Sequence, residues 1–206
     1  CYAVAGRVPD VRPDEVWIRC AAAGERAGEP EAIAITSGRF YALPGDPDAA
    51  HPDATLVPDR AALRARLREM VTAHFAPAVA LLHRELGCSE RGLWLAVADG
   101  LAGSVFWQLQ ERAPGLSAAA LEAELDGLVR VAGSPLCTRQ IGLFTLTYRE
   151  QPFVHYDRAT CCYWFKTDGG DYCTTCPKRP KAERDALLLK EKAEEDEARS
   201  LAEVAA

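Results

Sequence analysis

"CCYWFKTDGGDYCTTCPKRP", residues 161–180, places four cysteines within sixteen positions, while the other four stand singly at Cys1, Cys20, Cys88 and Cys137. Three chemistries compete for such a segment: a disulfide knot, a zinc clip and the thiolate cage of a redox cluster. A chain of 206 residues, 49% of them apolar, can bury a sizeable core without covalent staples, so the clustered thiols need another reason. Cys173 and Cys176 bracket two residues, a span over which one turn of backbone aims both sulfurs at one metal atom. The adjacent pair Cys161 and Cys162 says more. In extended backbone neighbouring side chains leave on opposite faces, so both reach a single metal only if the chain turns there. Two irons give adjacent thiolates two targets, whereas a lone zinc gives one. Between the pairs lies "YWFKTDGGDY", where Gly169 and Gly170 are free to take positive φ and return the chain. Tyr163, Trp164, Phe165 and Tyr172 can screen a bound group from water or simply pack the loop. Spacing alone leaves three occupants open: zinc first, then an iron–sulfur cluster, then a thiol–disulfide CxxC.

A formal net charge of −6 argues against a nucleic-acid or anionic-membrane binder, since both depend on concentrated Lys and Arg. No run of eighteen apolar residues occurs, so no transmembrane segment is expected, and no basic-plus-apolar leader precedes Cys1. The expected setting is the cytoplasm, where thiols stay reduced and serve metal binding or catalysis. A start at Cys1 without Met also fits a trimmed chain, a misplaced start or a lipoprotein after signal cleavage.

The expected fold class is α+β and predominantly helical. Residues 1–50 read as a β-rich segment: "EVWIRC" alternates Val16, Ile18 and Cys20 against Trp17 and Arg19, and "AIAIT" and "RFYAL" add strands around Ser37 and Gly38. "GERAGEP" is the first connection, and the three runs predict a small antiparallel sheet. Residues 44–54, "PGDPDAAHPDA", form a loop. Residues 55–150 read as a helical core. Asp59 caps a helix with Leu63, Leu67, Met70, His74, Ala78, Leu82 and Leu86 on one face, kinked or divided at Pro77. Ser89 caps a second with Leu93, Trp94, Val97, Leu101, Val105 and Leu109, and Ser117 a third with Leu121, Leu125, Leu128 and Val129. "IGLFTLTYRE" alternates as a strand or an extended lead-in, and "PFVHYDRAT" carries the chain to the cysteines. Residues 151–206 then hold the cysteine-rich loop and, from Pro180, a terminal helix with a fraying end. The three regions are expected to form one compact unit.

"RATCCYWFK" followed by "YCTTCPK" resembles the C-terminal signature of the FhuF-type ferric-siderophore reductases: CC, ten residues, then CxxC, with Arg158 where that family often has Arg before the CC pair. The specific likeness covers residues 155–178, and "ERGLWLAVADG" is a fainter echo of the family's Trp-containing central helix. The resemblance implies that Cys161, Cys162, Cys173 and Cys176 bind a [2Fe-2S] cluster. It also implies single-electron transfer to ferric hydroxamate-type siderophores, releasing Fe(II) in the cytoplasm, with a ferredoxin-like or flavin-dependent protein as donor. Lys178, where the family often shows an apolar residue, and the long charged tail depart from the pattern. Hydroxamate oxygens are hard ligands that hold Fe(III) far more strongly than Fe(II), so one electron suffices for release and no nucleophile or general base is required. None is legible: no Ser/His/Asp triad can be read, and the four histidines are dispersed.

The remaining candidates divide simply. His74 and His83 read as packed or surface residues. His155, six positions before the cysteines, reads as a loop residue or as a hydrogen-bond partner of the cluster. Cys20, Cys88 and Cys137 read as buried small hydrophobes, and Trp94 and Trp107 as core, unless an aromatic rims an open cleft. In "PKRPK", Lys178, Arg179 and Lys181 either present a cationic spot to an acidic donor or form a solvated cluster balanced by Glu183 and Asp185. Two other functions use the same cysteines: a zinc-stabilised binding module, and an iron–sulfur redox sensor, which would want a DNA-binding helix that the acidic chain does not evidently offer.

Overall fold

The computed structural model describes residues 2–22, 28, 30–113 and 116–204, with side chains as far as residue 198. Cys1, most of the "GERAGEP" connection and residues 205–206 of the tail lie outside the described residues. In chain order the elements are α1 (Tyr2–Ala5), β1 (Val8–Pro9), β2 (Val16–Cys20), β3 (Pro30–Ile35), β4 (Phe40–Ala42), β5 (Ala54–Leu56), α2 (Arg60–Leu86), α3 (Glu90–Arg112), α4 (Ala118–Val129), β6 (Gly142–Tyr148), β7 (Gln151–Asp157) and α5 (Lys181–Val204). The architecture is mixed α+β and mainly helical, with the cysteine segment leading into α5.

The three central helices start where their polar caps dictate. Asp59 accepts from the Ala62 amide at 2.8 Å, and Ser89 and Ser117 accept from Gly92 and Ala120 at 3.2 Å each, so each satisfies one of the orphan donors of a first turn. α2 ends at Gly87, whose φ of 64° is the left-handed stop that glycine favours. The helix is not divided at Pro77, which forgoes one backbone bond inside a continuous 27-residue element. Beyond Pro77 the stripe runs out of cover: Val79 is buried, but Leu86 is exposed.

Leu63 and Leu67 of α2, Ala98, Ala102 and Phe106 of α3, and Leu125 and Leu128 of α4 share one core with Leu136 and Ile141. Each large side chain so buried contributes about 1.5–3 kcal/mol. α1 is locked onto this bundle by charge. The Tyr2 hydroxyl donates to Glu124 at 2.7 Å, and Arg60 and Arg64 donate to the same carboxylate at 2.8 Å. Burial raises the Glu124 pKa, but these three partners outweigh it and hold the carboxyl down at about 2.

The N-terminal strands sort into two sheets rather than one. β2 and β3 form an antiparallel ribbon with Ile18 opposite Ile33, and Trp17, Ile18, Ile33 and Ile35 are exposed. The apolar alternation makes the ribbon, but nothing described packs over those residues. β4 pairs antiparallel with β1 and parallel with β5, placing Val8 and Ala42 in full burial.

β6 and β7 are a hairpin, so "IGLFTLTYRE" holds a strand rather than an extended lead-in, and "PFVHYD" supplies the strand that pairs with it. Its turn is Arg149 and Glu150, at φ 47° and 64°, the doubly positive geometry that suits the twist of a hairpin. α5 covers this hairpin: Leu188 is buried, Arg184 stacks 4.0 Å from the Phe144 ring centroid, and its guanidinium donates to Asp157 at 2.8 Å. At the other end Tyr156 lies against α3, where a Cβ on Gly103 would meet the Tyr156 ring at 3.4 Å. The hairpin thus delivers the chain to α3 at the point where the cysteine segment begins.

Candidate metal centre

The cysteine segment is anchored by one buried carboxylate. Asp99, midway along α3, is 5% exposed. Its Oδ1 accepts from the Tyr156 hydroxyl at 2.6 Å and the Ala159 amide at 3.1 Å, and its Oδ2 from the Thr160 hydroxyl at 2.5 Å, the Thr160 amide at 3.3 Å and Arg158 Nε at 3.4 Å. Five donors on one carboxylate fix residues 156–160 on the helix, and they occupy all of the roughly four acceptor sites of its two oxygens, one of them shared. Burial and the Asp99 bond push the Tyr156 hydroxyl pKa well up, so it stays a donor. Asp99 was not singled out in the sequence. The available signal was an acid in the middle of the apolar run "LAVADGLAG", where an unpaired charge would be expensive.

Past Thr160 the backbone turns sharply. Tyr163 has φ 60°, a left-handed conformation unusual for a residue with a Cβ. The consequence is a small nest: the Tyr163 amide donates to Cys161 Sγ at 3.4 Å, and the Trp164 amide donates to Cys162. A 3-10 turn, Trp164–Lys166, follows. Gly169 takes φ 72° as expected of the Gly-Gly pair, whereas Gly170 is needed for space, since a Cβ there would collide with the Trp164 carbonyl. The returning chain brings Tyr172 against Phe165, ring centroids 4.6 Å apart, then closes the CxxC turn with the Cys176 amide on the Cys173 carbonyl at 3.0 Å.

The thiols meet as two pairs. Cys161 Sγ lies 3.6 Å from Cys176 Sγ, and Cys162 and Cys173 interact with each other. All four are free thiols; Cys176 is buried and Cys162 exposed. Arg158 Nη1 reaches Cys173 Sγ at 3.8 Å. The Trp164 amide, ahead of the Cys173 thiol and the Arg158 charge, holds the Cys162 thiol below its ordinary pKa, while burial pushes Cys173 up. Among the described residues no three His, Cys, Asp or Glu side chains converge on a single-ion site.

Two thiolates sharing one tetrahedral metal with bonds of about 2.3 Å stand about 3.8 Å apart, close to the Cys161–Cys176 separation and far from a disulfide bond of about 2.05 Å. Four soft sulfur donors grouped two by two, with backbone amides on two sulfurs and a guanidinium on a third, fit a group of two irons held by four cysteines.

Clefts open on both sides of Cys161. One of about 380 Å³ is lined by Asp99, Gly100, Gly103, Trp107, Cys161 and Cys162. The other, of about 660 Å³, is lined by Ser89, Leu93, Cys161, Tyr163 and Lys178. Ala96 lines both. Small residues on α3 therefore leave room beside the thiols.

Several expectations change. Trp94 is core, but Trp107 is 51% exposed and rims the first cleft. Cys20 is exposed and Cys88 and Cys137 half-buried, so none is the buried hydrophobe expected; they sit at a ribbon end, in the α2–α3 connection and in the α4–β6 connection, where cover is incomplete. His74 packs as expected, its Nε2 2.6 Å from the Val11 carbonyl oxygen, and His83 Nδ1 lies 2.7 Å from that of Cys88. His155 is a buried strand residue among Phe106, Trp107 and Phe144, with Nδ1 3.2 Å from the Tyr156 carbonyl oxygen. Tyr163 and Trp164 are exposed, leaving Phe165 and Tyr172 as the packed aromatics of the loop. Arg179 turns inward, donating to the carbonyls of Tyr172 and Cys173 and to Glu183, and clamps the CxxC turn. Lys181 pairs with Asp185, while Lys178 is exposed with its ammonium 5.8 Å from the Tyr163 ring centroid.

Residues 158–178, which hold Arg158 and all four clustered cysteines, match the family model of the FhuF 2Fe-2S C-terminal domain. The match is a short stretch of the chain and suggests an iron–sulfur protein of the siderophore-reductase type. No curated protein and no solved structure matches the chain. Among the described residues no helix is long and apolar enough to cross a membrane.

Proposed function

We propose that this chain holds a [2Fe-2S] cluster on Cys161, Cys162, Cys173 and Cys176 and passes single electrons to ferric hydroxamate-type siderophores, releasing iron as Fe(II). The observation that carries the reading is the two-by-two grouping of the thiols inside the stretch that matches the FhuF 2Fe-2S domain. The cluster, when bound, supplies a one-electron carrier. The residues supply its setting. Asp99 fixes Arg158 and Thr160, the Tyr163 and Trp164 amides donate to sulfurs, and Phe165 packed on Tyr172 gives the loop a core.

A ferric chelate docks where cysteine meets open space, which is the pair of clefts flanking Cys161. Trp107 offers an aromatic wall in one cleft, and Tyr163 with Lys178 an aromatic and a cation in the other. Hard oxygen ligands release Fe(II) far more readily than Fe(III), so the protein needs proximity and one electron, not bond cleavage. The electron comes from a ferredoxin-like or flavin-dependent protein in the cytoplasm, where the thiols stay reduced.

The test mixes chemically reduced protein anaerobically with a ferric hydroxamate siderophore and a ferrous trap. Trapped Fe(II) should appear at about one iron per electron as the protein reoxidises. Reoxidation without Fe(II) above a cluster-free control contradicts the reductase reading and leaves an electron carrier.

A further inference from the structure

We propose that the two irons are held in crossed pairs, Cys161 with Cys176 and Cys162 with Cys173, and that Arg158 makes the iron of Cys162 and Cys173 the one that accepts the electron. The inference rests on the cluster reading above and assigns what that reading leaves open. The obvious alternative follows sequence, giving the adjacent pair Cys161 and Cys162 one iron and the CxxC pair the other.

Geometry favours crossing. The left-handed turn at Tyr163 gives Cys161 and Cys162 different amides and different partners: Cys161 faces Cys176 at 3.6 Å, which leaves Cys162 and Cys173, the two thiols that act on Arg158, as the other pair. That separation fits two sulfurs on one tetrahedral metal, about 3.8 Å apart for bonds of about 2.3 Å. The CxxC turn is thereby split, its buried sulfur, Cys176, going to one iron and Cys173 to the other.

Electrostatics then distinguishes the two irons. Reduction adds one negative charge: a one-electron donor is oxidised, one ferric ion becomes ferrous, and no bond forms or breaks. The added charge settles where it is best stabilised. Arg158 stands at 3.8 Å from Cys173 and acts on Cys162 as well, and Cys162 is also exposed to water. The opposite pair includes Cys176, 1% exposed, where new charge is least solvated. Arg158 is a positioning residue for charge; it reaches the irons through the thiolates.

The experiment measures midpoint potentials of the holoprotein and its single Cys→Ser variants, with electron paramagnetic resonance to confirm an intact cluster. A harder oxygen ligand favours ferric iron, so on the accepting iron it opposes reduction directly. Cys162→Ser and Cys173→Ser should each make reduction at least tenfold less favourable, about 59 mV for one electron, and clearly more so than Cys161→Ser and Cys176→Ser. Potentials that sort by sequence neighbours, or not at all, overturn the crossed pairing. Arg158→Gln keeps every ligand and so tests the charge bias even if a Ser variant fails to assemble. It should lower the potential, and Arg158→Lys should recover most of the loss. Equal potentials in Arg158→Gln and the parent overturn the bias. Wild-type protein that takes up no iron fails the cluster reading itself, a result distinct from a cluster whose variants sort differently.

Discussion

Asp99 accepts the Thr160 hydroxyl at 2.5 Å, tying the middle of α3 to the residue immediately before the cysteine pair. Asp99→Asn keeps the size but replaces one acceptor oxygen by a donor, which then faces either the Tyr156 hydroxyl and Ala159 amide or the Arg158 and Thr160 groups. Breaking such a buried charged set costs about 3–5 kcal/mol. Thermal unfolding should begin several degrees lower, and iron per chain should fall. Unchanged melting and full iron content in Asp99→Asn would show that the carboxylate is not the anchor.

Tyr163 tests the backbone turn. At φ 60° a residue with a Cβ carries about 1–2 kcal/mol of strain, which Tyr163→Gly relieves while keeping the amide that donates to Cys161. Tyr163→Pro removes that amide and cannot adopt the angle. Iron content should survive the Gly variant and be lost in the Pro variant, measured by visible absorption per chain. Equal iron in both contradicts the nest.

Lys178 and Arg179 should separate into different roles. Arg179, clamped on the Tyr172 and Cys173 carbonyls, should lose cluster content when changed to Ala. Lys178→Glu should keep the cluster yet slow reduction by an acidic protein donor several-fold at low ionic strength, an effect fading with salt. Stopped-flow reduction at two salt concentrations checks this. Identical rates at low salt would remove Lys178 from the donor surface.

Glu124 sets an acid limit. Its carboxyl is lowered from 4.5 to about 2, so its contribution is complete above the unfolded value and disappears as pH falls through the folded one. The shift corresponds to about 3 kcal/mol. Between about pH 5 and pH 2 the wild type should lose roughly that much more stability than Glu124→Gln, in which the slope is absent. Denaturant unfolding of both proteins provides the comparison, and parallel curves would contradict the assignment.

How far the sequence led follows from where chemistry is local. Helix starts were legible because Asp59, Ser89 and Ser117 satisfy their own first turns. The matched cysteine stretch was legible because spacing is a covalent property. The β6–β7 hairpin was not fully legible, because Arg149 and Glu150 occupy positive φ where Gly or Asn would have announced a turn. Asp99 escaped, and Trp107 was read first as core, because helical periodicity tells which side is apolar, not which residue a distant hairpin will reach. The exposed β2–β3 ribbon shows the same limit: alternation specifies a strand, while burial depends on what else arrives.

Everything above turns on whether the thiols of Cys161, Cys162, Cys173 and Cys176 carry two irons. Anaerobic purification followed by iron, zinc and acid-labile sulfide analysis tests it most directly, with electron paramagnetic resonance of the reduced protein. The expected result is two irons and two sulfides per chain, a one-electron signal on reduction, and no loss when Cys20, Cys88 or Cys137 is replaced by Ser. Stoichiometric zinc, with no iron spectrum even after reconstitution, would contradict it.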